Sequence, residues 1–158
     1  MSALAPMIDN YLAGVQTLRQ AVAGMSREQL TARPVAGKWS TLEVVCHLAD
    51  FDPIYTDRMK RVIAEERPTL LGADEKCFAA ALVYQDRDLE EELGIIAGAR
   101  SQMARILRKL PDSALKRVGI HNERGEQTLE QLLTTIINHI THHVKFIKEK
   151  RQALGLSV

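Results

Sequence analysis

The chain has 158 residues, of which 46% are hydrophobic and 26% are charged, and this length and composition favour one globular domain over residues 1–158. The net charge of +1, from 21 basic and 20 acidic side chains, provides no field that would attract nucleic acid or an anionic membrane. No apolar stretch could span a bilayer, and the first residues lack the features of a signal peptide. The two cysteines, Cys46 and Cys77, form no CxxC pair, so we expect a reduced, cytoplasmic protein. From the charge and the lack of an apolar span, we expect neither nucleic-acid nor membrane partners.

The first predicted helix spans residues 4–23. Its apolar residues recur every three or four positions and form one stripe: Leu4, Met7, Ile8, Tyr11, Leu12, Val15, Leu18 and Val22. A short helical turn is expected at "SREQL", where Ser26 and Gln29 have the spacing of a capping box. The stretch "TARPVAGK" is predicted to be a loop.

The second predicted helix begins at "WSTLE" and runs to about Glu65. Ser40 is its expected N-cap, and Glu43 has the position of the capping-box partner. Pro53 lies inside the helix, where it removes one backbone donor, so we expect a kink there.

The third long helix is predicted over residues 88–110, after a break at "RPTLLGADEK" and a helical stretch that resumes near Asp74. Its apolar stripe consists of Leu89, Leu93, Ile96, Met103, Leu107 and Leu110. Arg100 falls on the same face as this stripe. We favour its pairing with a carboxylate inside the core, and the alternative is a contact with an anionic group of a substrate.

The last predicted helix begins after Thr128, which has Gln131 as its capping-box partner, and continues to about Leu154. The segment before it, "PDSALKRVGIHNERGEQ", is predicted to be a polar connection, with His121 on the surface. No segment alternates with period two for long enough to predict a strand. Four long amphipathic helices therefore predict an all-α four-helix bundle with a kinked second helix.

Three of the five histidines lie in "NHITHH" on the last helix. With about 100° of rotation per residue, His143 falls inside the apolar sector and His139 falls at its edge, whereas His142 points further out. The sector itself consists of Leu129, Leu132, Leu133, Ile136, Ile140, Val144 and Ile147. The i, i+4 spacing of His139 and His143 could present two imidazoles to one ion. The alternative is a half-exposed helix pair that binds no ion.

The second helix carries one more histidine at the border of its apolar face, His47 in "EVVCHLADF". Taken alone, a histidine in such a position is usually held by an ordinary hydrogen bond. Together with His139 and His143 it would form a three-histidine set that leaves a coordination position open, as catalytic zinc sites do. No helical feature shows that the two faces meet.

"GKWSTLEVVCHLADF", followed much later by "RGEQTLEQLLTTIINHITHHVKFI", resembles the DinB/YfiT-like family of four-helix-bundle proteins. The resemblance covers most of the chain in order and spacing. It implies that His47, His139 and His143 bind a divalent metal ion, commonly zinc or nickel. Because family members often dimerise, it also implies a homodimer. The family often has a glutamine where this chain has Phe146.

The resemblance also implies a chemistry. Its superfamily includes transferases that use low-molecular-weight thiols such as bacillithiol or mycothiol, and a thiol-dependent isomerase. Ile140 follows His139, so the glutamate of the HExxH motif of zinc proteases is missing. We therefore expect a metal-dependent thiol S-transferase acting on an electrophilic small molecule, ahead of a hydrolase or an isomerase. The alternative is a non-catalytic, dimeric stress-response protein that binds a metal or a ligand.

Four further residues are candidates for orienting a ligand histidine or contacting a substrate: Glu43, Asp50, Arg100 and His142. Glu43 lies one turn before His47, and Asp50 lies three residues after it, so either carboxylate could reach that ring. For Glu43 the capping role explains its position equally well.

Overall fold

The computed structural model describes residues 2–158. The α-helices it places there are α1 (Leu4–Val22), α2 (Arg27–Thr31), α3 (Thr41–Ala64), α4 (Glu75–Ala81), α5 (Leu89–Leu107) and α6 (Leu129–Ala153). Its strands are β1 (Thr69–Leu70), β2 (Val118–His121) and β3 (Gly125–Thr128). Short 3-10 turns at Tyr84–Asp86 and Asp112–Lys116 complete the connections.

The four long helices α1, α3, α5 and α6 form the bundle, and both α1 and α3 pack against α5 and α6. Their apolar stripes interlock because each helix presents one hydrophobic face. All seven apolar residues of the predicted α6 sector are buried. The predicted four-helix bundle is confirmed, and the predicted helix bounds agree with the observed ones to within three residues at each end.

The capping residues read from the sequence start the helices as predicted. Ser40 accepts a hydrogen bond from the backbone N–H of Glu43, and the Glu43 side chain accepts one from the backbone N–H of Ser40. Thr128 and Gln131 form the same reciprocal pair at the start of α6. Helix α3 continues through Pro53, and the kink expected there stays a prediction.

The small three-stranded sheet was not predicted from the sequence. Strand β2 pairs in parallel with β1 and antiparallel with β3, with His121 opposite Leu70 on one side and Gly125 on the other. Two or four residues are too few to display a period-two pattern. Gly119 allows the sheet to approach α3 closely, since a Cβ there would lie 2.8 Å from Val62.

The sheet also corrects the prediction for His121. Its side chain lies inward on β2 and is 4% exposed, not on the surface. The sheet thereby closes one side of the space between α3 and α6. Within residues 2–158, no helix has the length and apolar character that crossing a membrane requires.

Candidate metal centre

The three histidines predicted from the sequence come together where α3 and α6 pack. Their ligand nitrogens all lie within 4.8 Å of one another. The Nε2 atoms of His47 and His139 are 3.0 Å apart, and the ring of His143 is centred 4.7 Å from that of His47. His47 is buried, and His139 and His143 are half-buried.

Burial sets the charge of these rings. Burial, together with the neighbouring histidines, lowers the pKa of His139 and of His143 to about 3. The pKa of His47 is lowered by the same burial, although Glu75 and Asp50 oppose the shift. All three rings are therefore neutral at neutral pH, which leaves a lone pair on each for a metal ion.

The spacing of one nitrogen pair fits a metal ion. Two imidazole nitrogens bound to one tetrahedral zinc ion, each at about 2.0–2.1 Å, lie about 3.3 Å apart. The observed separation of 3.0 Å between His47 Nε2 and His139 Nε2 is close to this value. The three histidines thus form a group that can hold a metal ion.

Aromatic side chains hold the three rings in place. Trp39 and Phe51 lie 5.3 Å and 4.6 Å from the ring of His47, measured between centroids. Phe146, at the position where the family often has glutamine, packs 5.9 Å from His143. Within residues 2–158, the Nδ1 atoms of the three histidines have no hydrogen-bond partner, so ring packing and not a carboxylate orients the imidazoles.

The other candidate residues lie away from the histidine nitrogens or are engaged elsewhere. Glu43 caps α3 and accepts two hydrogen bonds from Arg33. Asp50 accepts two hydrogen bonds from Arg87. His142 is exposed, and its ring packs against His143 and Phe146.

Arg100 is fully buried in the centre of the bundle. It donates two hydrogen bonds to the carboxylate of Asp52, at 2.8 Å and 2.9 Å. It also donates to the backbone carbonyls of Tyr11 and Ile136. This is the buried ion pair that we favoured from the sequence. Because the guanidinium is occupied by these partners, Arg100 is not available to bind an anionic group of a substrate.

Glu75, which the sequence analysis did not single out, lies beside the histidines. It is in the first turn of α4, and its Oε2 atom is 3.8 Å from His47 Nε2. Its side chain is 54% exposed, so it can turn towards the histidines or towards solvent. No local pattern could have identified it, because α4 reaches the site only through the loop after α3.

Two openings border the histidines, and a third adjoins one of these two. The first, here called the triad cavity, has a volume of about 220 Å³ and is lined by residues that include His47, His139, Arg58, His121 and Arg124. It shares Arg58, Gly72 and Ala73 with an outer cleft of about 780 Å³. A groove of about 350 Å³ beside Trp39 and His143 lies on the other side, with Glu75 between it and the triad cavity.

The fold and the site define a helical bundle with a candidate three-histidine metal centre that borders a cavity and a groove. The chain belongs to the DinB superfamily, whose family model matches residues 11–147. The predicted resemblance is confirmed by this match.

Relatives with metal-related names support the same assignment. The chain is 31% identical over 141 residues to "Putative metal-dependent hydrolase YfiT" of Bacillus subtilis, covering 89% of this chain and 79% of that protein. It is 29% identical over 139 residues to a protein of Bacillus licheniformis with a similar name, covering 87% of this chain and 79% of that protein. The chain also resembles a solved structure: YfiT of Bacillus subtilis superposes with a TM-score of 0.91 and 28% identity, covering 99% of this chain and 91% of that one. YfiT is described there as "a probable metal-dependent hydrolase with an unusual four-helix bundle topology".

Proposed function

We propose that this protein is a metal-dependent enzyme that holds one divalent ion on His47, His139 and His143. The observation that carries the proposal is the convergence of three neutral imidazoles within 4.8 Å, beside a cavity lined by His47 and His139 and a groove lined by His143. A site that served only to stabilise the fold would be closed by a fourth protein ligand. Zinc and nickel are the proposed ions, since imidazole suits both.

The chemistry we propose is activation of a nucleophile. A divalent ion on three neutral ligands keeps its full charge, and this lowers the pKa of a thiol or water that binds to it. The aromatic rings packed around His47 lower the local polarity, which strengthens electrostatic interactions in the site.

A low-molecular-weight thiol is the nucleophile we propose first. Its sulfur would form a bond to an electrophilic carbon, the leaving group would depart with its electron pair, and the thiol proton would pass to solvent. Such a reaction requires space for two small molecules. The triad cavity and the adjoining outer cleft, with volumes of about 220 Å³ and 780 Å³, provide that space.

Hydrolysis is the second candidate, and the position of Glu75 favours it. A carboxylate 3.8 Å from His47 Nε2 could accept a proton from a water in the site. The sequence lacks the HExxH glutamate, but α4 supplies a carboxylate from a different element. The names of the relatives also point towards hydrolysis.

The metal content of untagged protein tests the proposal. Wild type should contain about one divalent ion per chain by elemental analysis, and His143→Ala should lose it because two imidazoles hold an ion far less tightly than three. His142→Ala is the matched control, since it removes the neighbouring, exposed histidine. Wild type that takes up neither zinc nor nickel at neutral pH would refute the proposal.

Two assays on metal-loaded protein separate the nucleophiles. For thiol transfer, cysteine is supplied with 1-chloro-2,4-dinitrobenzene, and for hydrolysis, p-nitrophenyl acetate is supplied without a thiol. We expect a metal-dependent rate in the first assay that His143→Ala abolishes. Activity in the second assay alone would favour hydrolysis over thiol transfer as the function. A bound ion without activity in either assay, across a panel of electrophiles, would support the non-catalytic binding protein.

A further inference from the structure

Arg58 is a buried arginine without a carboxylate partner. It is 5% exposed, and among residues 2–158 it forms no salt bridge, whereas Arg87 and Arg100 each bind a carboxylate. The one hydrogen bond from its guanidinium runs from Nη2 to the backbone carbonyl of Leu71, at 2.6 Å. A buried, unpaired charge is costly, so this position calls for an anion that the chain itself does not supply.

The guanidinium keeps a free donor. Its Nε atom is buried and has no hydrogen-bond partner within residues 2–158. The guanidinium carbon lies over the ring of Tyr55, 4.9 Å from the centroid, and this contact restrains the group. A restrained, planar guanidinium with unused N–H donors matches a carboxylate or a phosphate.

Arg58 lines the triad cavity together with His47 and His139. A ligand held by Arg58 would therefore share one space with the proposed metal ligands. The cavity volume of about 220 Å³ corresponds to roughly seven water molecules, which suits a small organic molecule with one end at each group.

The charges around the cavity are mixed, but positive charge dominates at the Arg58 end. Arg124 lies on the turn between β2 and β3 and lines the same cavity. Burial lowers the pKa of the adjacent His121, and Arg58 and Arg124 lower it further, so both arginines act on the interior of the cavity. Glu75 and Glu123 also line it, and Glu75 lies at the histidine end, beside His47.

We propose that Arg58, assisted by Arg124, binds a negatively charged group of the substrate, so that the substrate is a small organic anion whose opposite end faces the three histidines. This inference deepens the proposed function and rests on it for the role of the histidines. Arg58 is then a substrate-binding residue that selects an anion and positions it.

Titration calorimetry with succinate as the probe tests this inference on zinc-loaded and on metal-free protein. We expect saturable binding to wild type, weakened about tenfold or more in Arg58→Gln because a charge-assisted hydrogen bond is lost. Arg124→Gln should weaken binding by a smaller factor, since that side chain is exposed. Arg19→Gln is the matched control, because it removes the same charge on α1, where Arg19 pairs with Glu90, and it should bind succinate as wild type does.

The design keeps the two proposals apart. Zinc content, measured on every variant, should not change in Arg58→Gln or Arg124→Gln. Protein that binds neither zinc nor nickel but binds succinate in an Arg58-dependent way would refute the proposed function and support the anion site. If Arg58→Gln unfolds, because the bond to Leu71 is lost, Arg58→Lys and Arg124→Gln decide the question. Wild type that binds no succinate, or binding that is equal in all folded variants, would overturn the inference.

Discussion

His121 is a buried titratable side chain on the wall of the triad cavity. Its Nδ1 atom accepts a hydrogen bond from the backbone N–H of Glu123, at 3.2 Å. Burial, together with the charges of Arg58 and Arg124, lowers its pKa below the usual value for histidine. The native state therefore keeps this ring neutral at pH values where the unfolded chain has begun to bind a proton.

We expect His121→Asn to reduce the pH dependence of stability. Below about pH 6.5 the unfolded state binds more protons at His121 than the native state does, so this group makes the free energy of unfolding fall as pH falls. Asparagine can still accept the Glu123 N–H but does not titrate. In urea denaturation of metal-free protein between about pH 7.5 and pH 5, the free energy of unfolding should fall less steeply with pH in the variant than in wild type. Parallel curves would contradict the assigned pKa direction.

At the scale of elements, α1 depends on a glycine where it approaches α5. A Cβ at Gly14 would lie 2.7 Å from Nη1 of Arg100 and 3.4 Å from the side chain of Ile140. Arg100 cannot move away easily, because its guanidinium is held by Asp52 and by carbonyls of two helices. Close packing at this position therefore outweighs the low helix propensity of glycine.

Gly14→Ala should destabilise the protein by about 1–3 kcal/mol, as expected for overpacking. Gly98→Ala on α5 is the control, since a Cβ at Gly98 has no neighbour within 4 Å. It should stabilise the fold by up to about 1 kcal/mol, because alanine is the better helix former. Urea denaturation of both variants measures the difference. A stabilising Gly14→Ala would show that the Arg100 side chain adjusts without loss of its partners.

At the scale of the whole molecule, Arg100 links all four long helices. It extends from α5 to the carboxylate of Asp52 on α3, the carbonyl of Tyr11 on α1 and the carbonyl of Ile136 on α6. Its guanidinium also lies 4.6 Å from the centre of the Tyr11 ring. Because these partners specify one arrangement of the helices, we interpret this buried pair as a determinant of how the bundle packs.

Arg100→Met should lower the free energy of unfolding by about 3–5 kcal/mol, since it leaves the buried carboxylate of Asp52 without a compensating charge. The double variant Asp52→Asn with Arg100→Met removes both charges and should recover part of that loss. Denaturant unfolding monitored by circular dichroism provides the comparison. A single variant that loses less than about 1 kcal/mol would mean that the pair contributes little to stability.

The sequence by itself determined the long helices and their caps, because these features are local. Apolar spacing and the capping pair of Ser40 and Glu43 depend on residues only a few positions apart. The same locality placed His139 and His143 on one face of α6. Strand β2 was not predicted, because its four residues pair with β1, about fifty positions earlier in the chain, and no local pattern indicates such a pairing.

Only the tertiary structure decided which groups meet. His47 reaches His139 because α3 packs against α6, and Glu75 reaches His47 because the loop after α3 returns α4 to the site. Arg58 shares a cavity with His121 because the sheet closes against α3. Helical period fixes the face on which a side chain lies, but the neighbour of that face depends on how the whole bundle, its loops and its sheet pack together.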